Sequence, residues 1–78
     1  AVGKGEIHAP LHGALTEVLI TKGDKVKIGT RLAVVEAMKM QHEILAEIDG
    51  EITAIHIEAG SQVAAETVMI DIDSGDKD

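Results

Sequence analysis

The chain has 78 residues, enough for one small domain, and 45% of them are hydrophobic although none is aromatic. Its formal charge of −7 and its lack of aromatic side chains exclude a typical nucleic-acid-binding surface and argue against contact with an anionic membrane. The chain contains no cysteine, which excludes disulfide bonds and thiolate chemistry.

Short runs of aliphatic and β-branched residues, separated by turn signals, indicate an all-β domain. Residues 1–5 are glycine-rich and are interpreted as a linker, and an edge strand is predicted over Glu6–Ala9, ended by Pro10. Further strands are predicted at 14–20, 25–27, from Thr30 or Arg31 to Val35, and at 41–47, 51–58, 62–63 and 67–72. Residues 74–78 are predicted to form a flexible polar tail, so the predicted domain covers residues 6–73.

The sequence overlays on itself when it is shifted by 37 positions. Glycines match glycines and apolar residues match apolar ones: Gly13 with Gly50, Gly23 with Gly60, Val18 with Ile55, Ile20 with Ile57, Val26 with Val63, Leu32 with Met69 and Val35 with Ile72. We expect these four glycines at positions where φ is positive. Two copies of one unit would bury their apolar faces against each other, which predicts a flattened barrel or sandwich with internal two-fold pseudo-symmetry. The repeat matches Lys39 with Asp76, so the segment around Lys39 and the chain termini are predicted to lie at opposite ends.

The segment Glu36-Ala37-Met38-Lys39-Met40 lies between two strand-forming runs without any Gly, Pro, Asn or Asp. A two-residue hairpin normally uses such residues, because the favoured turns need positive φ at their central positions. A reversal at Met38–Lys39 is therefore predicted to strain the backbone, a feature that accompanies functional sites. It would expose a lysine flanked by two flexible thioethers.

This pentapeptide, placed within the repeat, resembles the attachment motif of biotinyl domains, the biotin carboxyl carrier members of the biotin-lipoyl attachment family. The resemblance extends from Glu6 to Ile72 and implies a barrel-sandwich hybrid of two four-stranded antiparallel sheets. It also implies that biotin is bound covalently to Lys39 by a biotin protein ligase. The flanking residues Glu36, Ala37, Met38 and Met40 would then serve in recognition.

By this resemblance the domain is a carrier without catalytic residues of its own. It would shuttle carboxybiotin between the biotin carboxylase and carboxyltransferase sites of a biotin-dependent carboxylase, transcarboxylase or decarboxylase. The segment Ala14–Gly23 has no room for the protruding thumb of some bacterial carriers, so the chain is similar to the thumbless type. Two segments depart from the usual family sequence: His12 stands where a proline is common, and Gln41–Glu43 stands where more acidic residues are common. These differences leave open which partner is recognised. The isolated domain is expected to be monomeric, while the carboxyl acceptor and the compartment stay open, with cytoplasm or mitochondrial matrix favoured.

Three other classes of function compete with the carrier. A lipoyl domain of a 2-oxo acid dehydrogenase complex also presents a lysine at a hairpin tip, but usually within an Asp-Lys-Ala-like sequence. An unmodified binding module would need an exposed apolar or aromatic patch, and an enzyme would need paired catalytic groups that the sequence does not show. Metal binding is not predicted, because Pro10 interrupts the helical spacing of His8 and His12, and these residues with His42 and His56 are interpreted as surface side chains.

Overall fold

The computed structural model describes residues 4–75, which form eight β-strands. In chain order the strands are β1 (Lys4–His8), β2 (Gly13–Val18), β3 (Lys25–Val26), β4 (Arg31–Ala37), β5 (Met40–Leu45), β6 (Gly50–Ile55), β7 (Gln62–Val63) and β8 (Val68–Asp73). They form two four-stranded sheets, the β8 sheet with the order β1-β8-β6-β3 and the β4 sheet with the order β5-β4-β2-β7. Every strand pairing is antiparallel. The predicted all-β fold of two four-stranded antiparallel sheets is confirmed.

The ends of the domain differ in one respect from the sequence-based expectation. Strand β1 begins at Lys4, which pairs with Asp73 of β8, so Lys4 and Gly5 belong to the edge strand rather than to a linker. Residues 1–3 of the predicted linker and residues 76–78 of the predicted tail lie outside the described residues. No helix that could span a membrane is found within residues 4–75.

The core is built from aliphatic side chains of both sheets. Strands β4 and β8 lie inside their sheets, and the run Leu32–Val35 of β4 is buried throughout. The largest fully buried side chains are Ile7, Leu15, Leu32, Val35, Ile52, Met69, Ile70 and Ile72. Both halves of the chain contribute to this set, and each sheet contains two strands from each half, so the two halves share one core.

The pairing registers show the two-fold pseudo-symmetry directly. The pair Leu15–Val35 joins β2 to β4, and its counterpart Ile52–Ile72, shifted by 37 positions, joins β6 to β8. Loop hydrogen bonds repeat in the same way: the N–H of Leu15 donates to the carbonyl of Ser61 and the N–H of Ile52 donates to that of Asp24, both at 2.8 Å. The two sequence repeats are therefore two copies of one β-unit.

Two of the four repeat glycines have a different role from the predicted one. Gly23 and Gly60 have φ values of 98° and 94°, as expected for turn glycines. Gly13 and Gly50 do not have positive φ. A Cβ atom on Gly13 would lie 2.6 Å from the carbonyl oxygen of Glu36, and one on Gly50 would lie 2.5 Å from that of Asp73. These two glycines allow adjacent strands to approach closely.

The β4–β5 turn and the outer ends of β1 and β8 lie at opposite ends of the molecule. Strand β6 starts at Gly50, beside Asp73 at the end of β8. The chain then runs away from that end to Ser61, which bonds to Leu15 near the start of β2. The start of β2 packs in turn against the residues that lead into the β4–β5 turn. Asp76, the predicted counterpart of Lys39, lies outside the described residues.

Candidate functional site at the β4–β5 hairpin

The chain reverses between β4 and β5 at Met38 and Lys39. Ala37 pairs with Met40 across the turn, so the loop has two residues, and their φ values are 53° and 67°. This is the left-handed geometry of a primed hairpin turn, which usually contains glycine or asparagine. Side chains other than glycine cost about 1–2 kcal/mol per residue in this conformation. The strain predicted for this reversal is present.

The tip of the hairpin is fully open to solvent. Met38 is 90% exposed and Met40 is 62% exposed, and Lys39 and Glu36 are exposed as well. Among residues 4–75, no hydrogen bond or ion pair engages the Lys39 side chain. Its Nζ atom is therefore accessible to a reagent and has no partner in the fold that would have to be displaced.

The base of the hairpin is fixed by packing. Ala37 is only 7% exposed and lies against Gly13, while Val35, two residues earlier in β4, is completely buried. Glu36 lies between them in the strand, points outward, and pairs with Gln41 of β5 and Ala14 of β2. A packed base therefore holds a short tip, from which the exposed side chains of Met38 and Lys39 project.

A shallow depression adjoins the tip. It is lined by His12, Gly13, Ala14, Glu36, Ala37, Met38, Lys39 and Gln62. The Nδ1 atom of His12 accepts a hydrogen bond from the backbone N–H of Ala65 at 3.2 Å, which holds the loop after β7 beside this depression. Asp49 is the counterpart of His12 in the repeat, and its Oδ1 atom accepts a hydrogen bond from the backbone N–H of Ile28 at 2.8 Å. His12 thus has a structural role, which the repeat could have indicated because it matches His12 with Asp49.

The histidines are not gathered into a binding site. His8, His12 and His56 are exposed, as predicted, whereas His42 is half-buried. His8 contacts Glu6 at 3.3 Å, and Nε2 of His56 lies 3.1 Å from Oδ2 of Asp71. Within the part of the chain that the structure describes, no group of three or more His, Asp or Glu side chains is arranged to hold a metal ion.

Comparisons with known proteins identify the family. The model of the biotin-lipoyl family, described as "Biotin-requiring enzyme", matches residues 5–72. The biotin carboxyl carrier protein of Streptococcus mutans is 41% identical over 64 residues, which cover 82% of this chain and 49% of that protein. The alpha3 subunit of a biotin-dependent acyl-coenzyme A carboxylase from Mycobacterium leprae is 36% identical over 85% of this chain and 11% of that subunit. The chain thus spans about half or less of the length of these relatives.

A solved structure supports the same assignment. A single-chain, multi-domain long-chain acyl-CoA carboxylase matches with a TM-score of 0.87 and 28% identity, over 97% of this chain and 8% of that one. The relatives named here are biotin-dependent proteins, so a lipoyl domain is not favoured. The chain belongs to the biotin-lipoyl attachment family, as a non-catalytic domain of the biotin carboxyl carrier type.

Proposed function

We propose that Lys39 is the residue to which biotin is attached, and that the biotinylated domain carries a carboxyl group within a biotin-dependent carboxylase. The observation that carries this proposal is the Lys39 side chain itself, exposed and unpaired among the described residues, at a strained turn between two exposed methionines. A lysine in that position can enter the active site of another protein without any change in the fold.

The attachment chemistry requires an amine nucleophile and an activated acyl group. Nζ of Lys39, once deprotonated, forms an amide bond with the carboxyl carbon of biotin, and the group that activated this carbon leaves. No side chain among the described residues is hydrogen-bonded to Nζ. We expect the ligase to supply the base that accepts this proton and to activate biotin with ATP.

The residues around Lys39 would contribute to recognition rather than to catalysis. Met38 and Met40 present flexible, polarisable side chains that can adapt to several partner surfaces in turn. Glu36 offers an exposed carboxylate one strand position before the buried Ala37. These groups would allow the ligase and the carboxylase sites to bind the same tip at different times.

Lys39 would hold biotin, which would supply a ring nitrogen able to carry a carboxyl group from a biotin carboxylase site to a carboxyltransferase site. The chain's contribution is to deliver this group. The outer ends of β1 and β8 lie at the far end of the molecule from Lys39, so connections made there would leave the hairpin free to approach both sites. Attachment to the same polypeptide or complex would raise the local concentration of biotin at each site.

The relatives support a carboxylase as the parent enzyme. One is named as a biotin-dependent acyl-coenzyme A carboxylase subunit, and the matching solved structure is that of a long-chain acyl-CoA carboxylase. An acyl-CoA is therefore the carboxyl acceptor class that we favour.

The carrier step can be tested apart from attachment. The biotinylated domain is incubated with a biotin carboxylase, ATP and radiolabelled bicarbonate, and free biotin serves as the positive control for the carboxylase. We expect label on the domain, and none on Lys39→Arg protein treated in the same way. A biotinylated domain that stays at the background of the Lys39→Arg variant, while free biotin is carboxylated, would contradict the carrier function. Efficient modification by a lipoate ligase instead would favour the lipoyl alternative.

A further inference from the structure

Among the residues that the structure describes, positive φ outside glycine occurs at one end of the molecule. Within residues 4–75, positive φ at a non-glycine residue occurs at Met38, Lys39 and Glu66. The first two form the hairpin tip. Glu66 lies in the loop between β7 and β8 and has a φ of 73°. The proposed attachment of biotin to Lys39 does not account for strain at this residue.

The symmetric copy of this loop uses glycine. Gly29 corresponds to Glu66 in the repeat and has a φ of 91°. Both residues make the same backbone hydrogen bond: the N–H of Gly29 donates to Ala46 at 2.9 Å, and the N–H of Glu66 donates to Ala9 at 2.8 Å. The turn is the same in both halves, so a glycine at position 66 would relieve the strain without altering the fold.

No hydrogen bond or ion pair of the Glu66 side chain within residues 4–75 offsets the free-energy cost of this strain. This side chain is exposed. Strained residues of this kind accumulate where a side chain serves a function. Within residues 4–75, no hydrogen bond or ion pair accounts for a glutamate rather than a glycine at this position.

The position of the β7–β8 loop links Glu66 to the proposed attachment of biotin at Lys39. The neighbouring residue Ala65 donates its backbone N–H to His12. His12 and Gln62, which precedes the loop in β7, both line the depression that also contains Lys39. Glu66 thus lies at the same end of the molecule as the proposed attachment residue.

We propose that Glu66 is a specificity residue for biotin attachment, and that its carboxylate accepts hydrogen bonds from a cationic side chain of the biotin protein ligase. This inference rests on the proposed function of Lys39. The ligase is the partner that must come closest, because it has to reach Nζ on the short four-carbon lysine stem. The carboxylase sites meet the domain through the much longer biotinyl-lysine arm, so they need not contact the loop at 64–67.

The test measures ligase kinetics with the unmodified domain as substrate, using a biotin protein ligase, biotin and ATP. We expect Glu66→Gln to raise KM about three- to thirtyfold with kcat within twofold of the wild type, because a charge-assisted contact that forms on binding is lost. Glu66→Gly should raise KM similarly and also raise the midpoint of thermal unfolding by about 2–6 °C, because the strain is relieved. The glutamine variant keeps the strained backbone, so it separates the charge from the conformation.

Two matched variants control for net charge and for strain. Glu51→Gln removes one exposed carboxylate at the far end of the molecule, and Gly29→Glu places the same residue in the symmetric loop. Both should leave KM within twofold of the wild type, and Gly29→Glu should lower the unfolding midpoint. A wild-type KM in both Glu66 variants would overturn the role of Glu66 while leaving Lys39 attachment intact. A folded wild-type domain that accepts no biotin would overturn the proposed function, and this inference with it.

Discussion

At the scale of single residues, the glycines that recur in the two halves serve two physical purposes, one for each matched pair. Gly23 is a turn residue with positive φ and has open space where a Cβ would be. Gly13 has ordinary backbone geometry, but a Cβ there would collide with the carbonyl oxygen of Glu36 at 2.6 Å and with Val35 Cγ1 at 2.7 Å. The repeat revealed that both are needed. It could not reveal why, because the reason for Gly13 is a contact with another strand.

Substituting these glycines should separate the two purposes. Gly13→Ala should lower the free energy of unfolding by about 2–4 kcal/mol, because strand β4 would have to shift away from β2. Gly23→Ala should cost about 1 kcal/mol, since it only strains the local backbone. Urea denaturation of the two variants measures the difference. Equal stability of the Gly13→Ala variant and the wild type would refute the close-approach role.

At the scale of secondary structure, the β4–β5 hairpin combines a tightly packed base with a strained tip. The base contains Val35, which is completely buried, and the tip contains Met38, which is 90% exposed. Met38 and Lys39 both keep positive φ, although glycine would adopt this turn more easily. With Met38 and Lys39 at its tip, the hairpin is therefore less stable than it would be with glycine there.

A substitution at the tip should reveal this strain. Met38→Gly should raise the free energy of unfolding by about 0.5–1 kcal/mol, because glycine removes the left-handed penalty at the cost of some unfolded-state entropy. Met40→Gly is the matched control: it lies in β5 and should lower stability by a similar amount, since glycine weakens a strand. Thermal unfolding of both variants provides the measurement. A Met38→Gly variant that is less stable than the wild type would contradict the strained turn.

The elements themselves were largely predictable from the sequence, and their ends and tertiary links were not. Alternation of apolar residues, turn signals and the repeat predicted the strands and the reversal at Met38–Lys39. Strand β6 was predicted to continue to residue 58 but ends at Ile55, where the chain leaves the strand and continues towards β7. The bond between His12 and Ala65 joins residues 53 positions apart. Local patterns carry no signal for such a contact, and only the match of His12 with Asp49 in the repeat points to it.

At the scale of the whole molecule, two equivalent halves stabilise each other, and neither has a core of its own. Leu32 in β4 and Met69 in β8 are counterparts in the repeat, and both are 0% exposed. A small domain without aromatic residues or disulfides has a total stability of only about 5–10 kcal/mol. Loss of one large buried side chain should therefore remove a substantial part of it, whichever half it belongs to.

The symmetry predicts matched effects of core truncation. Leu32→Ala and Met69→Ala should each lower the free energy of unfolding by about 2–5 kcal/mol, and by similar amounts, since the two cavities have equivalent surroundings. Leu45→Ala is the control, because Leu45 is 42% exposed and should cost less than about 1 kcal/mol. Chemical denaturation followed by far-UV circular dichroism measures all three. A severe loss in one half with no loss in the other would contradict mutual stabilisation.

The whole-molecule arrangement also places Lys39 at one end and the outer ends of β1 and β8 at the other, which suits a carrier that is held at one end and modified at the other. This arrangement fits the proposed attachment of biotin at Lys39. The most direct test is the intact mass of the domain before and after incubation with biotin, ATP and a biotin protein ligase, with Lys39→Arg as the control. We predict the addition of one biotin to the wild type and none to the variant, with both proteins folded. An unchanged mass of the folded wild-type domain, or equal biotinylation of the Lys39→Arg variant, would rule out Lys39 as the attachment residue.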